Sequence, residues 1–341
     1  MNYVFKRSLF DSVNFAYVTS IFLVILFQPT EAQMLNMGVN FRIFFLLMLL
    51  GAGISTFLNK ASIATLGQIL FAPPHKKDPE KTRGGFSKFW SWQLWFTLLL
   101  TIAVGIKQTH FSIYELTDPD GFAGAVRLFK GLANPNFSIF PMAVLKIIET
   151  IFIAFMATVL AIPVAFVLSF FCAKNIMTSP VGFAIYAILR TLLNVTRSVE
   201  ALIWAIIFSV WVGIGPFAGM LALCLHSVAS LAKQYSEITE AVNDGPIEGI
   251  RSTGAGFLQT IWFAIVPQVI LPFVAFTIYR WDINVRMATI IGLVGGGGIG
   301  TMLIKYQGQA LWPEVGCIIV VIAAVVWLMD TTSAYLREAL K

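Results

Sequence analysis

The sequence predicts an all-α, polytopic membrane protein with about eight crossings. Three observations carry this reading. The 341-residue chain is 58% hydrophobic and only 12% charged, with a mean hydropathy of +0.82, values that exclude an ordinary soluble domain. Apolar runs of about twenty residues recur along it, each long enough to cross a hydrocarbon core of about 30 Å as a helix. The basic residues behind the net charge of +6 are spread along the chain and mostly flank those runs. The positive-inside rule produces that distribution; nucleic-acid binding does not require it. Cys172, Cys224 and Cys317 lie in apolar segments without disulfide or metal-ligand spacing. They read as small packing residues, and no metal site is expected.

Lys6 and Arg7 precede an apolar run from Ser12 to Phe27. A basic start, a short apolar core and Thr30-Glu31-Ala32 faintly resemble a signal peptide, but the cleavage-site residues are poor and a retained helix is preferred. With a second run over 43–58, residues 1–72 form an N-terminal pair of apolar helices. Residues 73–88 form a polar link whose Lys76, Lys77, Lys81, Arg83 and Lys88 place it in the cytoplasm. Residues 89–341 read as the main domain. It starts with a crossing from Phe89 to Ile106, with Trp90, Trp92 and Trp95 as an aromatic belt. Residues 107–141 are polar and external by alternation, with a short amphipathic helix over 122–132. The run 143–172 is too long for one straight crossing, and Pro163 is expected to kink it.

Residues 181–212 are apolar but carry Arg190, Arg197 and Glu200. Charges there should face protein or water, and Arg197 and Glu200 are spaced to pair on a helix. Gly213-Ile214-Gly215-Pro216 turns the chain outside, and Phe217 to Tyr235 returns it. His226 reads as a packing residue on that helix. An island of charge follows: Glu237, Glu240, Asp244, Glu248 and Arg251. An apolar chain has no structural need for such an island unless it leaves the bilayer. The residues predict two short helices. Gly245-Pro246 should end the first, with Asp244 as cap and Pro246 in the first turn of the second. Thr253-Gly254-Ala255-Gly256 should break the second before Phe257 starts an outward helix.

Arg280, Asp282 and Arg286 fall near the far end of that helix, where Asp282 and Arg286 are spaced to pair. Arg280 lies about 20 Å beyond Pro267 at 1.5 Å per residue. An arginine at that depth either helps an anion across or snorkels to the outer headgroups. Gly295, Gly296, Gly297 and Gly298 then interrupt the apolar pattern. Four glycines do not make a stable helix, and irregular backbone at membrane depth is tolerated only against protein or a water-filled cavity. The stretch is read as a bend or gate on a translocation path. A last helix, Val315 to Met329, leaves Asp330, Arg337 and Lys341 inside. Both termini are then cytoplasmic, and more than half of the 23 Lys and Arg fall on that side.

The register of Glu248, Gly254 and Pro267 resembles the cytoplasmic coupling loop of permease subunits of bacterial ABC importers. Gly249, Ile250, Ala264 and Val266 depart from the most general form of that motif. The wording EAVNDGPIEGIRSTGA is most similar to the phosphonate-transport branch. Glu149-Thr150, Thr158, Pro163 and Ala173-Lys174-Asn175 resemble the first core helix of the same importers. RWDINVRMATIIGLVGGGGIG resembles the phosphonate-type permeases, in which Gly296 is more usually Ala. The resemblance covers residues 140–340. It implies a type I ABC importer permease core with extra N-terminal helices, carried in the bacterial inner membrane. The coupling loop, 237–256, would dock into a separate ATPase through Glu240, Asp244, Gly245, Glu248, Arg251 and Gly254, with Pro267 opening the next helix. Arg280, Asp282, Arg286 and the four glycines would line the path. The resemblance further implies a twofold homodimer, an external substrate-binding protein, and ATP and Mg on the partner ATPase, with no cofactor in this chain. The implied cargo is phosphonate or a related oxyanion such as phosphite or phosphate.

Three rivals stay open at this stage. An ion-gradient-driven secondary transporter also suits intramembrane charges and a broken glycine helix, although no inverted repeat is visible. A permease of the same superfamily for methionine differs only in cargo. A membrane enzyme is disfavoured. No Gly-Lys-Ser/Thr follows the glycines, and there is no His-Glu-x-x-His or Gly-x-Ser-x-Gly, so no catalytic residue is assigned.

Overall fold

The computed structural model describes residues 3–27, 37–61, 63–71, 89–109 and 111–339. The basic link 73–88 and the Thr30-Glu31-Ala32 step lie outside the described residues. Every regular element among the described residues is helical. Seven helices among the described residues are long and apolar enough to cross a membrane. Pro180–Ser198 and Ala201–Val212 supply an eighth crossing if this pair, bent by 91°, counts as one span.

The chain divides into two compact units, Met1–Asp118 and Pro119–Lys341. The first contains α1 (Tyr3–Phe27), α2 (Met37–Lys60), short α3 (Leu66–Phe71), α4 (Phe89–Gln108) and short α5 (Ile113–Thr117). α1 packs against α2, α3 and α4. The crossing at Phe89–Gln108 therefore belongs with the N-terminal helices, and the boundary expected at residue 89 moves beyond Asp118. Polar pairings across the apolar surfaces explain the shift. Leu66 N–H donates to Gln93 Oε1 at 3.0 Å, and the hydroxyls of Tyr17 and Thr101 lie 3.0 Å apart.

Buried Asp11 is the hub of this unit. Its Oδ2 accepts from Ser55 Oγ at 2.9 Å and Thr65 Oγ1 at 2.6 Å, and its Oδ1 accepts from Gly67 N–H at 2.9 Å. A Cβ on Gly67 would lie 2.6 Å from Asp11 Oδ1, so only glycine lets the backbone come this close. Buried acceptors facing several donors hold helices together because no water replaces them. Asp11→Asn turns one acceptor into a donor facing donors, which should cost about 2 kcal/mol. The midpoint of detergent-driven unfolding should fall accordingly; an unchanged midpoint would show that the hub is dispensable.

The second unit contains α6 (Pro119–Ala133), α7 (Phe140–Phe171), α8 (Pro180–Ser198), α9 (Ala201–Val212), α10 (Pro216–Glu240), α11 (Asp244–Ser252), α12 (Phe257–Gly292), α13 (Gly298–Gly308) and α14 (Trp312–Ala339). α7 and α10 pack along each other at its centre. Their buried faces are small: Ala154, Ala157, Ala161 and Ala165 on one, Ala218, Gly219, Ala222 and Ala229 on the other. Lipid supplies no hydrophobic drive between helices, so close backbone approach through small residues takes its place. Pro163 sits inside the continuous α7.

Two local features depart from regular helix. α8 ends at Ser198 with Val199 extended, and α9 starts at Ala201. Arg197 and Glu200 therefore do not share one helix, and the pairing expected of them does not form. In α12, Ile261–Ile265 form a π turn just before Pro267, in which Val266 N–H reaches back to Ile261 O. Proline brings no N–H and its ring crowds the carbonyl four residues earlier, so one widened turn relieves the clash.

Candidate functional site

α10 runs without a break to Glu240, and α11 begins at Asp244. Gly245-Pro246 does not end a helix, as the sequence had suggested. Both fall in the first turn of α11, where a missing N–H leaves nothing unpaired. Asn243, not Asp244, takes the cap position, and its N–H donates to Gln268 Oε1 at 3.1 Å. Asp244 adds negative charge at the helix N-terminus, where the dipole favours it.

α11 is a largely exposed helix held by Ile247, with Ile250 packed partly beside it. Ile247 is buried in a cluster with Tyr235, Ile265 and Val269. Asp244, Gly245, Glu248, Gly249 and Arg251 are all exposed, as is Gly254 beyond the helix end. A Cβ at Gly245, Gly249 or Gly254 would meet nothing within 4 Å. Gly254 has φ +80, a left-handed conformation that glycine adopts freely. Space alone thus leaves this chain indifferent to side chains along the face, which remains bare for something external.

Below α11 the connection is braced. Glu240 Oε1 accepts from Arg190 Nη1 at 2.7 Å and from Lys174 N–H at 2.9 Å. Asn175 Nδ2 donates to Thr239 O at 2.8 Å. Glu237 lies 4.0 Å from Arg190 and 3.7 Å from Lys233. Glu240 thus ties α8 and the end of α7 to the base of the loop, while Glu248 stays exposed and Arg251, one turn beyond Ile247, borders the crevice beside Phe257 and Thr260. Pro267 is exposed at the start of the regular part of α12.

Further along α12 the three charged residues separate. Arg280 faces α10, and its Nε donates to Ser227 Oγ at 3.2 Å. Asn284 Nδ2 donates to Ser227 Oγ at 2.8 Å and to Thr158 Oγ1 of α7 at 2.9 Å. Ser227 lies near the midpoint of α10. Arg280 is thus at the centre of the bundle and does not snorkel to an outer end. Asp282 and Arg286 face α14: Arg286 bonds Asp282 at 2.6 Å and Asp330 at 3.3 Å.

The glycine stretch breaks the helix where the sequence places the break. α12 stops at Gly292, and Gly295, Gly297 and Gly298 have φ +90, +82 and +70. A Cβ on Gly219 would lie 2.5 Å from Gly296 O, so α10 contributes a glycine of its own to the close approach. Two residues of α7 cap α13 beyond the turn. Glu149 Oε1 accepts from Gly298 N–H at 3.0 Å and Thr150 Oγ1 from Ile299 N–H at 2.8 Å. These caps carry no local signal, because the helix end they serve lies far away in sequence.

The family of inner membrane components of binding-protein-dependent transport systems matches residues 165–341, more than half of the chain. The chain belongs to this family. It is a transport permease subunit, not an enzyme. A phosphite transport system permease protein of Stutzerimonas stutzeri is 38% identical over 231 residues, 65% of this chain and 83% of that protein. A phosphate-import permease protein of Mycolicibacterium smegmatis is 32% identical over 63% of this chain and 40% of that protein. A putative cryptic phosphonate transport system permease protein of Escherichia coli K12 is 40% identical, over 35% of this chain and 98% of that protein. Among solved structures, an inward-facing methionine ABC transporter, MetNI, aligns with a TM-score of 0.53 at 18% identity. The alignment covers 60% of this chain and 99% of that one. At that identity the likeness is one of fold, the type I ABC importer permease.

The family match covers the whole of α11, the Arg280 cluster apart from Thr158, and the glycine turn. In this permease the caps Glu149 and Thr150 come from the part of α7 that precedes the match, as does Thr158. Helices α1 to α5 lie outside it.

Proposed function

We propose that this permease carries phosphorus oxyanions (phosphite, phosphate or phosphonate) into the bacterial cytoplasm as part of an ATP-driven importer. The observation that supports the class is α11, an exposed helix anchored by Ile247 and bare over Gly245, Gly249 and Gly254. Such a face suits close docking by a rigid partner. The names of the phosphite, phosphate and phosphonate relatives support the cargo.

ATP and Mg bind a separate ATPase, which receives α11 through Asp244, Glu248, Arg251 and the glycine face. One chain offers one coupling helix and two ATPases need two, so the assembly is a twofold homodimer. An external binding protein delivers the oxyanion. Both termini lie in the cytoplasm, on the same side as α11. ATP binding draws the two coupling helices together, and the loop converts ATPase state into a preference between two membrane conformations. The brace at Glu240 and Arg190 carries that motion into α8 and α10.

Affinity purification of the tagged chain from its native membrane should bring down an ATPase, and Glu248→Arg should release it. Uptake of radiolabelled phosphite, phosphate and phosphonate then ranks the cargo. Transport that survives ATP depletion but not collapse of the ion gradient would sink the assignment in favour of a secondary transporter.

A further inference from the structure

The centre of the bundle holds a positive charge that the chain leaves unpaired. Arg280 is 7% exposed. Its Nε is occupied by Ser227, but its Nη2 is buried without a hydrogen-bond partner among the described residues. The carboxylate two residues on, Asp282, is engaged by Arg286. Glu200 acts on Arg280 only through space, from beyond ion-pair distance. One helical turn further, Asn284 is fully buried, and its Oδ1 has no partner.

The hydrogen-bond directions add to this. Ser227 Oγ accepts from both Arg280 and Asn284, so its own proton is left to donate. The cluster thus offers a guanidinium edge and a hydroxyl proton at the middle of the membrane-spanning bundle, with net positive charge. An isolated charge in a low-dielectric interior is costly and is normally paired with an opposite one. A guanidinium fork matches two oxygens of a phosphorus oxyanion.

We propose that Arg280, with Ser227 and Asn284 behind it, is the mid-membrane contact for the transported oxyanion. The substrate class rests on the functional reading above; the site itself rests on the buried guanidinium edge that has no hydrogen-bond partner. Arg280 donates from Nη2 to one oxygen, Ser227 donates from Oγ to another, and the arginine offsets the anion's charge during passage. One arginine without a surrounding cage also lets the anion leave, which conduction requires as much as entry. The site is closed in this conformation, so α10 and α12 must part to admit the anion.

The test uses the full complex of permease, ATPase and binding protein in proteoliposomes. ATP-driven uptake of radiolabelled phosphite, phosphate and phosphonate is measured, with co-purification of the ATPase as the measure of assembly. Arg280→Gln should lower uptake about 30-fold, the loss of one charged hydrogen-bond donor, and Arg280→Lys should recover part of it. Asn284→Asp separates a contact from a folding role, because it supplies the arginine with an internal carboxylate. An arginine that served only the fold would be satisfied by that change, and uptake would persist. A substrate contact would be blocked by it, and an assembled complex would stop transporting. Wild-type uptake by Arg280→Gln, or by Asn284→Asp in an assembled complex, overturns the site. If Arg280→Gln fails to assemble, Asn284→Asp alone decides. If the wild-type complex carries none of the three oxyanions, the cargo reading falls first and takes the site with it.

Discussion

Gly254→Leu stops ATP-driven uptake, a fall of about 100-fold, while the membrane helices remain assembled; this is the size of effect that follows when the coupling between two sites is lost. Gly254 sits just past the end of α11 at φ +80. A leucine there is strained by about 1–2 kcal/mol, enough to shift the end of an exposed nine-residue helix without unfolding the bundle. No atom of the chain lies within 4 Å of where its Cβ would be. The larger part of the effect therefore falls on whatever approaches from outside. Gly254→Ala isolates the two contributions, since it carries the same backbone strain with little added bulk and should keep more of the uptake. Uptake and ATPase stimulation by the binding protein, measured on both variants, decide the matter. Full uptake with normal stimulation in the leucine variant would show that this face does not couple.

Gly298→Val should remove most of the folded protein. Its φ of +70 is strained for any side chain and worst for a β-branched one. Its Cβ would run into the hydroxyl of Thr150 and come within 3.3 Å of the Thr150 Cα. Thr150 cannot retreat, because its Oγ1 caps Ile299 N–H. Strain and overpacking together cost on the order of 4 kcal/mol. The yield of monodisperse protein and its thermal midpoint report the loss. Gly308→Val is the control, since nothing lies within 4 Å of a Cβ there. Equal losses in both variants would mean that any bulky substitution in this region is harmful, whatever the packing of the glycine turn.

Features set by neighbours in sequence were legible before the structure. The four glycines predicted a helix break, and the spacing of Asp282 and Arg286 predicted their ion pair. Local rules failed where their premise did. Arg197 and Glu200 have pairing distance only along a continuous helix, and the chain bends between them. Gly245-Pro246 reads as a stop, but proline is equally at home in a first turn. Other features have no local signature. Arg190 and Glu240 lie on different helices and meet only when α8 packs on α10. The same holds for Glu149 with Gly298, and for the polar contacts that draw α4 to the N-terminal unit. Arg280 shows both sides: helix rise puts it about 20 Å beyond Pro267, but that the helix runs on to Gly292 and leaves it at the centre of the bundle, not near the far end, and without a carboxylate partner, has no local signature.

α12 is a strut with its compliance at one end. The π turn, Pro267 and Pro272 all fall near its start, where backbone bonds are absent or lengthened. From Phe273 to Gly292 it contains no further proline and runs as regular helix. If α11 couples as proposed, torque entering beside it is taken up partly as flexure in the first turns and passed on by a stiff shaft. Arg280 and the turn at Gly292 sit on that same shaft, so they rotate in phase, and any throw that uncovers the arginine also displaces the glycines.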